Sequence, residues 1–205
     1  MTVKNPLDRN YHFLYAILWP IFKILFPVRA VGHENIPEGA VVICPNHTAW
    51  NDPFCVVFSF GWKFPMRAMA KAEIIRWPIV GPILAWAGVI GVDRGSADIK
   101  AVKAVLKHLK EGSKLLIFPE GTRVHEGESV DAKAGAALFA TRTNTPLLPV
   151  YIQPGKRLFR RTTVVIGEAY MPVYAGRKPT SDELQAIADD LMVRVQALKE
   201  KVSWN

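Results

Sequence analysis

Short, largely apolar runs recur along this chain, with room for a helix between most of them, and that alternation narrows the folds open to it. "AVVICP" (40–45), "PMRAMA" (65–70), "VIGVDR" (89–94), "KLLIFP" (114–119), "PLLPVYI" (146–152) and "TTVVIG" (162–167) each read as a strand. A strand that is apolar on both sides belongs to a sheet covered on both faces. Between these runs the period changes. "PFCVVFSFGW" (53–62) opens at a proline, which suits the first helical position. After Ser96 or Asp98, either of which can cap a helix, Ile99, Val102, Val105, Leu106 and Leu109 form a stripe that Gly112 stops, with Lys100, Lys103, Lys107 and Lys110 on the solvated side. A small-residue helix follows over 131–143, and an amphipathic one from Ser181, where Thr180 and Glu183 have capping-box spacing. The pattern predicts a single α/β domain, a mainly parallel, mixed sheet covered by helices, over residues 32–205.

Residues 1–31 have a different character. "YHFLYAILWPIFKILFPV" (11–28) is aromatic and aliphatic, yet Pro20, Lys23 and Pro27 interrupt it. A spanning helix wants about 20 apolar residues without such breaks, and no small-residue cleavage pattern marks a removed signal peptide. Two readings stand: a helix packed on the domain, or one lying in a membrane interface with Tyr11, Tyr15 and Trp19 at headgroup level. The segment "IIRWPIVGPILAWAG" (74–88), broken by Pro78 and Pro82, reads as core or as lining for an apolar ligand.

In a parallel sheet, the loops leaving the strand ends share one edge, where ligands gather. Three such loops carry unusual residues: Asn46, His47 and Asp52 after the first strand, Asp93-Arg94-Gly95 after the third, and "PEGTR" (119–123) after the fourth. Arg94 and Arg123, with Lys71 just past the second strand, suit a phosphate, because guanidinium groups pair with its oxygens. The net charge of +8 fits an anionic partner of this kind or an anionic membrane. Nucleic acid is not expected, since no aromatic-basic platform accompanies the charge. Two cysteines form no disulfide framework and point to a reducing compartment.

His47 and Asp52 lie five residues apart, which does not bring them together on an ideal helix. They meet only if His47 sits on the loop and Asp52 opens the helix at Pro53, where Asp52 could also be simply an N-cap. If the carboxylate takes one imidazole nitrogen, the other becomes a proton acceptor that can take a proton from an alcohol as it attacks. Two rivals use the flanking thiols: a zinc-binding interaction domain built on Cys44, His47, Asp52 and Cys55, and a cysteine nucleophile. Both cysteines lie in apolar runs, where a thiol packs as a small hydrophobe.

The ordered segments "NHTAWND", "GVDRGS", "FPEGTR" and "TPLLPVYI" resemble the four sequence blocks of the glycerolipid acyltransferase family, and the likeness runs from about Gly32 to Gly167. The resemblance implies transfer of a fatty acyl group from a thioester, acyl-CoA or acyl carrier protein, to the free hydroxyl of 1-acyl-sn-glycerol-3-phosphate, giving phosphatidic acid. His47 would be the general base and Asp52 its orienting partner. Lys71, Arg94, Glu120, Gly121 and Arg123 would hold the phosphorylated acceptor, and Pro149 would shape the pocket. No metal and no cofactor are implied beyond the acyl co-substrate. Another lysophospholipid or a lyso-ornithine lipid is the alternative acceptor. The enzyme is expected at the cytoplasmic face of the inner membrane, peripheral or monotopic, with residues 11–28 and the basic "GKRLFRR" (155–161) on the anionic surface; that basic run could equally meet coenzyme A.

Overall fold

The computed structural model describes residues 6–93, 98–124 and 130–202. Seven strands form one sheet: β1 (Val28–Val31), β2 (Val41–Pro45), β3 (Met66–Lys71), β4 (Ile90–Val92), β5 (Lys114–Leu116), β6 (Leu147–Ile152) and β7 (Thr162–Ile166). Their order is β1-β7-β6-β2-β5-β3-β4. Every pairing is parallel except β6 with β7, which is antiparallel, so the sheet is mixed and mainly parallel as its apolar runs predict. The five strands from β6 to β4 run the same way and send their following loops to one edge.

Among the described residues, seven α-helices cover the sheet: α1 (Pro6–Leu25), α2 (Asp52–Phe60), α3 (Ala72–Ile75), α4 (Val80–Trp86), α5 (Ile99–Lys110), α6 (Gly135–Thr143) and α7 (Ser181–Ala197). One core layer joins Val42, Leu115 and Leu147 to Val105, Phe139 and Leu191 from α5, α6 and α7. The opposite layer joins Ile43, Leu116 and Val150 to Tyr11 and Tyr15 of α1 and to Cys55, Val56 and Phe60 of α2. Helices on both faces explain why the central strands β2 and β6 are buried along their whole length. The expected caps are in place: Asp98 accepts from the Ala101 N–H at 3.0 Å, and Thr180 and Glu183 form a reciprocal capping box.

Three expectations need correction. The N-terminal segment is one continuous helix through Pro20. Proline removes one ladder hydrogen bond, and the helix is anchored before it, through buried Asn10, Tyr11 and Tyr15. Those two tyrosines therefore face the core and not a headgroup layer. Phe13, Ile17, Trp19, Ile21 and Ile24 remain exposed, so the helix both packs on the domain and presents an apolar face outward. Residues 74–88 are not core, because Trp77, Ile79, Val80, Ile83 and Trp86 are all exposed. No helix among the described residues is long and apolar enough to cross a membrane.

Arg67, in strand β3, was legible only as a strand residue, yet it is 1% exposed. Its Nη2 pairs with Asp8 of α1, which fastens that helix to the sheet. Among the described residues its Nε and Nη1 have no hydrogen-bond partner, so Asp8 is the principal compensation for a buried charge.

Candidate active site

The site begins where β2 ends. Asn46 is buried and exchanges two hydrogen bonds with the Ile152 backbone, donating at 3.0 Å and accepting at 2.7 Å, which locks the ends of β2 and β6 together. The next residue, His47, is held on both sides by its backbone. Its N–H donates to Glu120 Oε2 at 2.8 Å, and its carbonyl accepts from the Val124 N–H at 2.8 Å. The loops after β2 and β5 are thus tied at the histidine itself.

Helix α2 starts at Asp52, with Asn51 as N-cap and Pro53 in its first turn. Asp52 does not cap its own helix. Its carboxylate turns back over the loop, and Oδ2 accepts from His47 Nδ1 at 2.9 Å, Thr48 N–H at 2.6 Å and Ala49 N–H at 2.7 Å. A loop histidine and a helix-opening aspartate therefore meet across a spacing that a continuous helix would not allow. With the carboxylate on Nδ1, that nitrogen carries the proton and Nε2 is left as an acceptor. The Phe118 ring lies against the imidazole, centroids 4.1 Å apart, and the His47 side chain keeps 17% of its exposure, enough to meet a ligand.

The charges around the ring are set by burial. Asp52 is fully buried, which pushes its carboxyl up, but the hydrogen bond from His47, the Lys156 ammonium and the Ala49 amide outweigh that and hold it below the usual range. Glu120 lies in the other direction. Burial raises it to about 7, the Asp52 charge adds to this, and the His47 N–H opposes it. Two carboxyls bonded to one histidine, Asp52 at its ring and Glu120 at its backbone, are thus shifted in opposite directions. Lys156, from the loop after β6, is the member that sequence reasoning missed. In sequence it belongs to one basic run with Arg157, Arg160 and Arg161, yet its side chain is 2% exposed and its Nζ lies 2.5 Å from Asp52 Oδ1.

His47, Asp52 and Glu120 are brought together. Gly121 forms the turn after Glu120, with a positive φ of 68°, and its N–H donates to the Phe118 carbonyl. Arg123 is exposed and immediately precedes Val124, which binds His47. Lys71 ends β3 on the same sheet edge and is exposed. Arg94 lies outside the described residues. The cysteines do not form a metal cluster with His47: the Cys44 thiol points back to the Val42 carbonyl, and burial pushes Cys55 up to about 12. No group of three or more His, Cys, Asp or Glu suited to a metal occurs among the described residues. Beside the histidine loop opens a groove of about 1020 Å³, with Thr48, Glu120 and Lys156 at its polar end and Trp50, Met192 and Val193 on its apolar walls.

A family model described as Acyltransferase matches residues 27–153. A 1-acyl-sn-glycerol-3-phosphate acyltransferase of Bacillus subtilis is 30% identical over 199 residues, covering 94% of this chain and 98% of its own. The protein of the same description from Borreliella burgdorferi is 34% identical over 161 residues, covering 75% of this chain, and the match spans 61% of that relative's length. The crystal structure of a 1-acyl-sn-glycerophosphate acyltransferase from Thermotoga maritima aligns with a TM-score of 0.66 at 22% identity, over 97% of this chain and 80% of its own. At that identity the likeness carries the fold.

Proposed function

The chain belongs to the acyltransferase family, and from that premise we propose that it moves a fatty acyl group from a soluble thioester, acyl-CoA or acyl carrier protein, to the free hydroxyl of 1-acyl-sn-glycerol-3-phosphate, forming phosphatidic acid. The observation that carries the reading is the His47–Asp52 contact, Nδ1 to Oδ2 at 2.9 Å, on a loop whose other imidazole nitrogen is available to a ligand. A lipid hydroxyl is a poor nucleophile at neutral pH. Nε2 accepts its proton as the oxygen attacks the thioester carbon. The tetrahedral adduct then collapses, the carbon–sulfur bond breaks, and the imidazolium returns the proton to the thiolate. Asp52 stays ionised throughout and balances the transient positive charge. Such a base supplies roughly 10²–10⁴ in rate, and fixing the acceptor's direction supplies a comparable or larger factor. Arg123 and Lys71, exposed on the edge that carries His47, suit the acceptor phosphate, and Arg94 is assigned the same task from its sequence block.

The apolar surface supports work at a lipid interface. Exposed Trp50, two residues before Asp52, contacts Phe26 just past α1. The Phe159 N–H donates to the Leu25 carbonyl at 2.7 Å, which places an exposed Leu158-Phe159 pair, flanked by exposed Arg157, Arg160 and Arg161, at the same end of α1. Aromatic and basic residues together are what an anionic bilayer surface attracts. The protein is therefore assigned a peripheral position at the cytoplasmic face of the inner membrane, where a soluble thioester can reach it. The test is product identification. Purified protein, acyl-CoA or acyl carrier protein, and a panel of lysolipids should give phosphatidic acid from lysophosphatidic acid at the highest kcat/KM. A preference for an acceptor without a terminal phosphate would overturn the acceptor assignment, and no ester formation with any acceptor would overturn the activity.

A further inference from the structure

Lys156 occupies a position that the reaction above does not explain. It follows Gly155, whose φ of 70° reverses the chain after β6, a conformation glycine adopts without strain. The reversal sends the lysine inward while Arg157, Arg160 and Arg161 stay outside. Its side chain is 2% exposed, its Nζ sits 2.5 Å from Asp52 Oδ1, and it donates to Thr48 Oγ1 at 3.3 Å. Although Lys156 borders the groove, its ammonium is turned to Asp52 and already paired there. Asp52 is therefore engaged through both oxygens: three hydrogen bonds from the histidine loop on Oδ2, and on Oδ1 an ion pair with the ammonium of the opposite loop, close in distance but without hydrogen-bond geometry.

Taking His47 as the base, as above, we infer that Lys156 is a positioning residue of the reaction: it holds Asp52 in the orientation that fixes the His47 ring, and it offsets part of the negative charge that Asp52 presents to that ring. Orientation follows from geometry. A carboxylate bound only through Oδ2 can swing about that oxygen, and with it the imidazole; a cation 2.5 Å from Oδ1 restrains that swing by charge attraction. The charge effect follows from the sign of each neighbour. Asp52 favours the imidazolium and Lys156 opposes it. Glu120, on the His47 backbone N–H, also favours the imidazolium when ionised. Cys55, one turn into α2, stays a neutral thiol because burial pushes it up to about 12. Lys156 is thus the one cation that any hydrogen bond or ion pair among the described residues joins to this group.

The test is steady-state thiol release by wild type, Lys156→Met, Lys156→Gln, Lys156→Arg, Asp52→Asn and the double variant Lys156→Met/Asp52→Asn, each checked for folding by thermal melting. In the neutral variants kcat should fall by about 10–100-fold, part of the factor a well-aimed base supplies, with little change in the acceptor KM. The acid limb of the kcat/KM profile should move to higher pH by ~1 unit, since Asp52 then acts on His47 unopposed. Lys156→Arg should restore the acid limb and part of kcat. In the Asp52→Asn background the lysine substitution should cost nothing further, because its partner charge is gone. Wild-type kcat and an unmoved acid limb in folded Lys156→Met or Lys156→Gln would overturn the inference, as would an equal loss in both backgrounds. His47→Ala, run alongside, separates the two readings: full activity there removes the base assignment itself, whereas inactive His47→Ala with an indifferent Lys156 removes only the inference.

Discussion

Replacing Asp8 by alanine tests what holds α1 on the sheet. Arg67 is 1% exposed and Asp8 27%, so the substitution leaves a guanidinium in the core with its main counter-charge removed. Two charges about 4 Å apart at an effective dielectric near 20 attract by roughly 4 kcal/mol, and breaking a buried pair from one side costs about 3–5 kcal/mol. Asp8 keeps some contact with water, which favours the lower end, about 3 kcal/mol. For a chain of this size each kcal/mol moves Tm by roughly 2–4 °C, so Asp8→Ala should melt about 6–12 °C lower by far-UV circular dichroism. It should also expose α1 to limited proteolysis within residues 6–25 before the rest of the domain is cut. Adding Arg67→Met should recover much of the loss, because an apolar side chain in the same space needs no partner. A Tm within about 2 °C of wild type for Asp8→Ala, or a double variant as unstable as the single one, would refute the claim that this pair helps fasten the helix beside its buried Asn10, Tyr11 and Tyr15.

Other outcomes follow from the same structure. Glu120 is raised by burial from 4.5 to about 7, so the folded protein keeps a proton that the unfolded chain has already released between those values. Its contribution is fully present below pH 4.5 and is lost as pH rises through about 7, a change of about 3 kcal/mol. Glu120→Gln should remove that slope, so melting curves of the two proteins that run parallel from acid to neutral pH would contradict the assignment. Cys44→Ala/Cys55→Ala should melt lower, since two buried thiols are removed, yet retain thiol release and stay indifferent to chelators. Loss of activity in the folded double variant would revive a thiol or metal mechanism. Trp77→Ser/Ile79→Ser, both on the exposed apolar surface beside α4, should weaken sedimentation with anionic vesicles while sparing turnover of a soluble short-chain acceptor. Unchanged vesicle binding would remove that surface from the interface.

The central strands were legible because burial on both faces leaves a continuous apolar run, as in "AVVICP" and "PLLPVYI". The His47–Asp52 contact was legible too: the proline after Asp52 marks a helix start, and only a loop-to-helix junction reconciles the spacing with contact. What could not be read were partners distant in sequence. Nothing around Arg67 announces that Asp8 will cover it, and nothing around Lys156 separates it from the arginines beside it except Gly155, whose positive φ turns one side chain inward. The sequence block of Glu120 implies an acceptor ligand, and the fold also gives this residue a bond to the His47 backbone that no local pattern specifies. The apolar segment 74–88 misled for a related reason: hydrophobicity reports that a residue avoids water, not whether protein or lipid replaces it.

The account rests on proton removal by one nitrogen of His47, and thiol release from acyl-CoA in the presence of lysophosphatidic acid measures that most directly. Wild type should release thiol in step with phosphatidic acid. Folded His47→Ala should lose roughly 10²–10⁴ of that rate, and Asp52→Asn should fall between the two. A folded His47→Ala protein that turns over at the wild-type rate would contradict it.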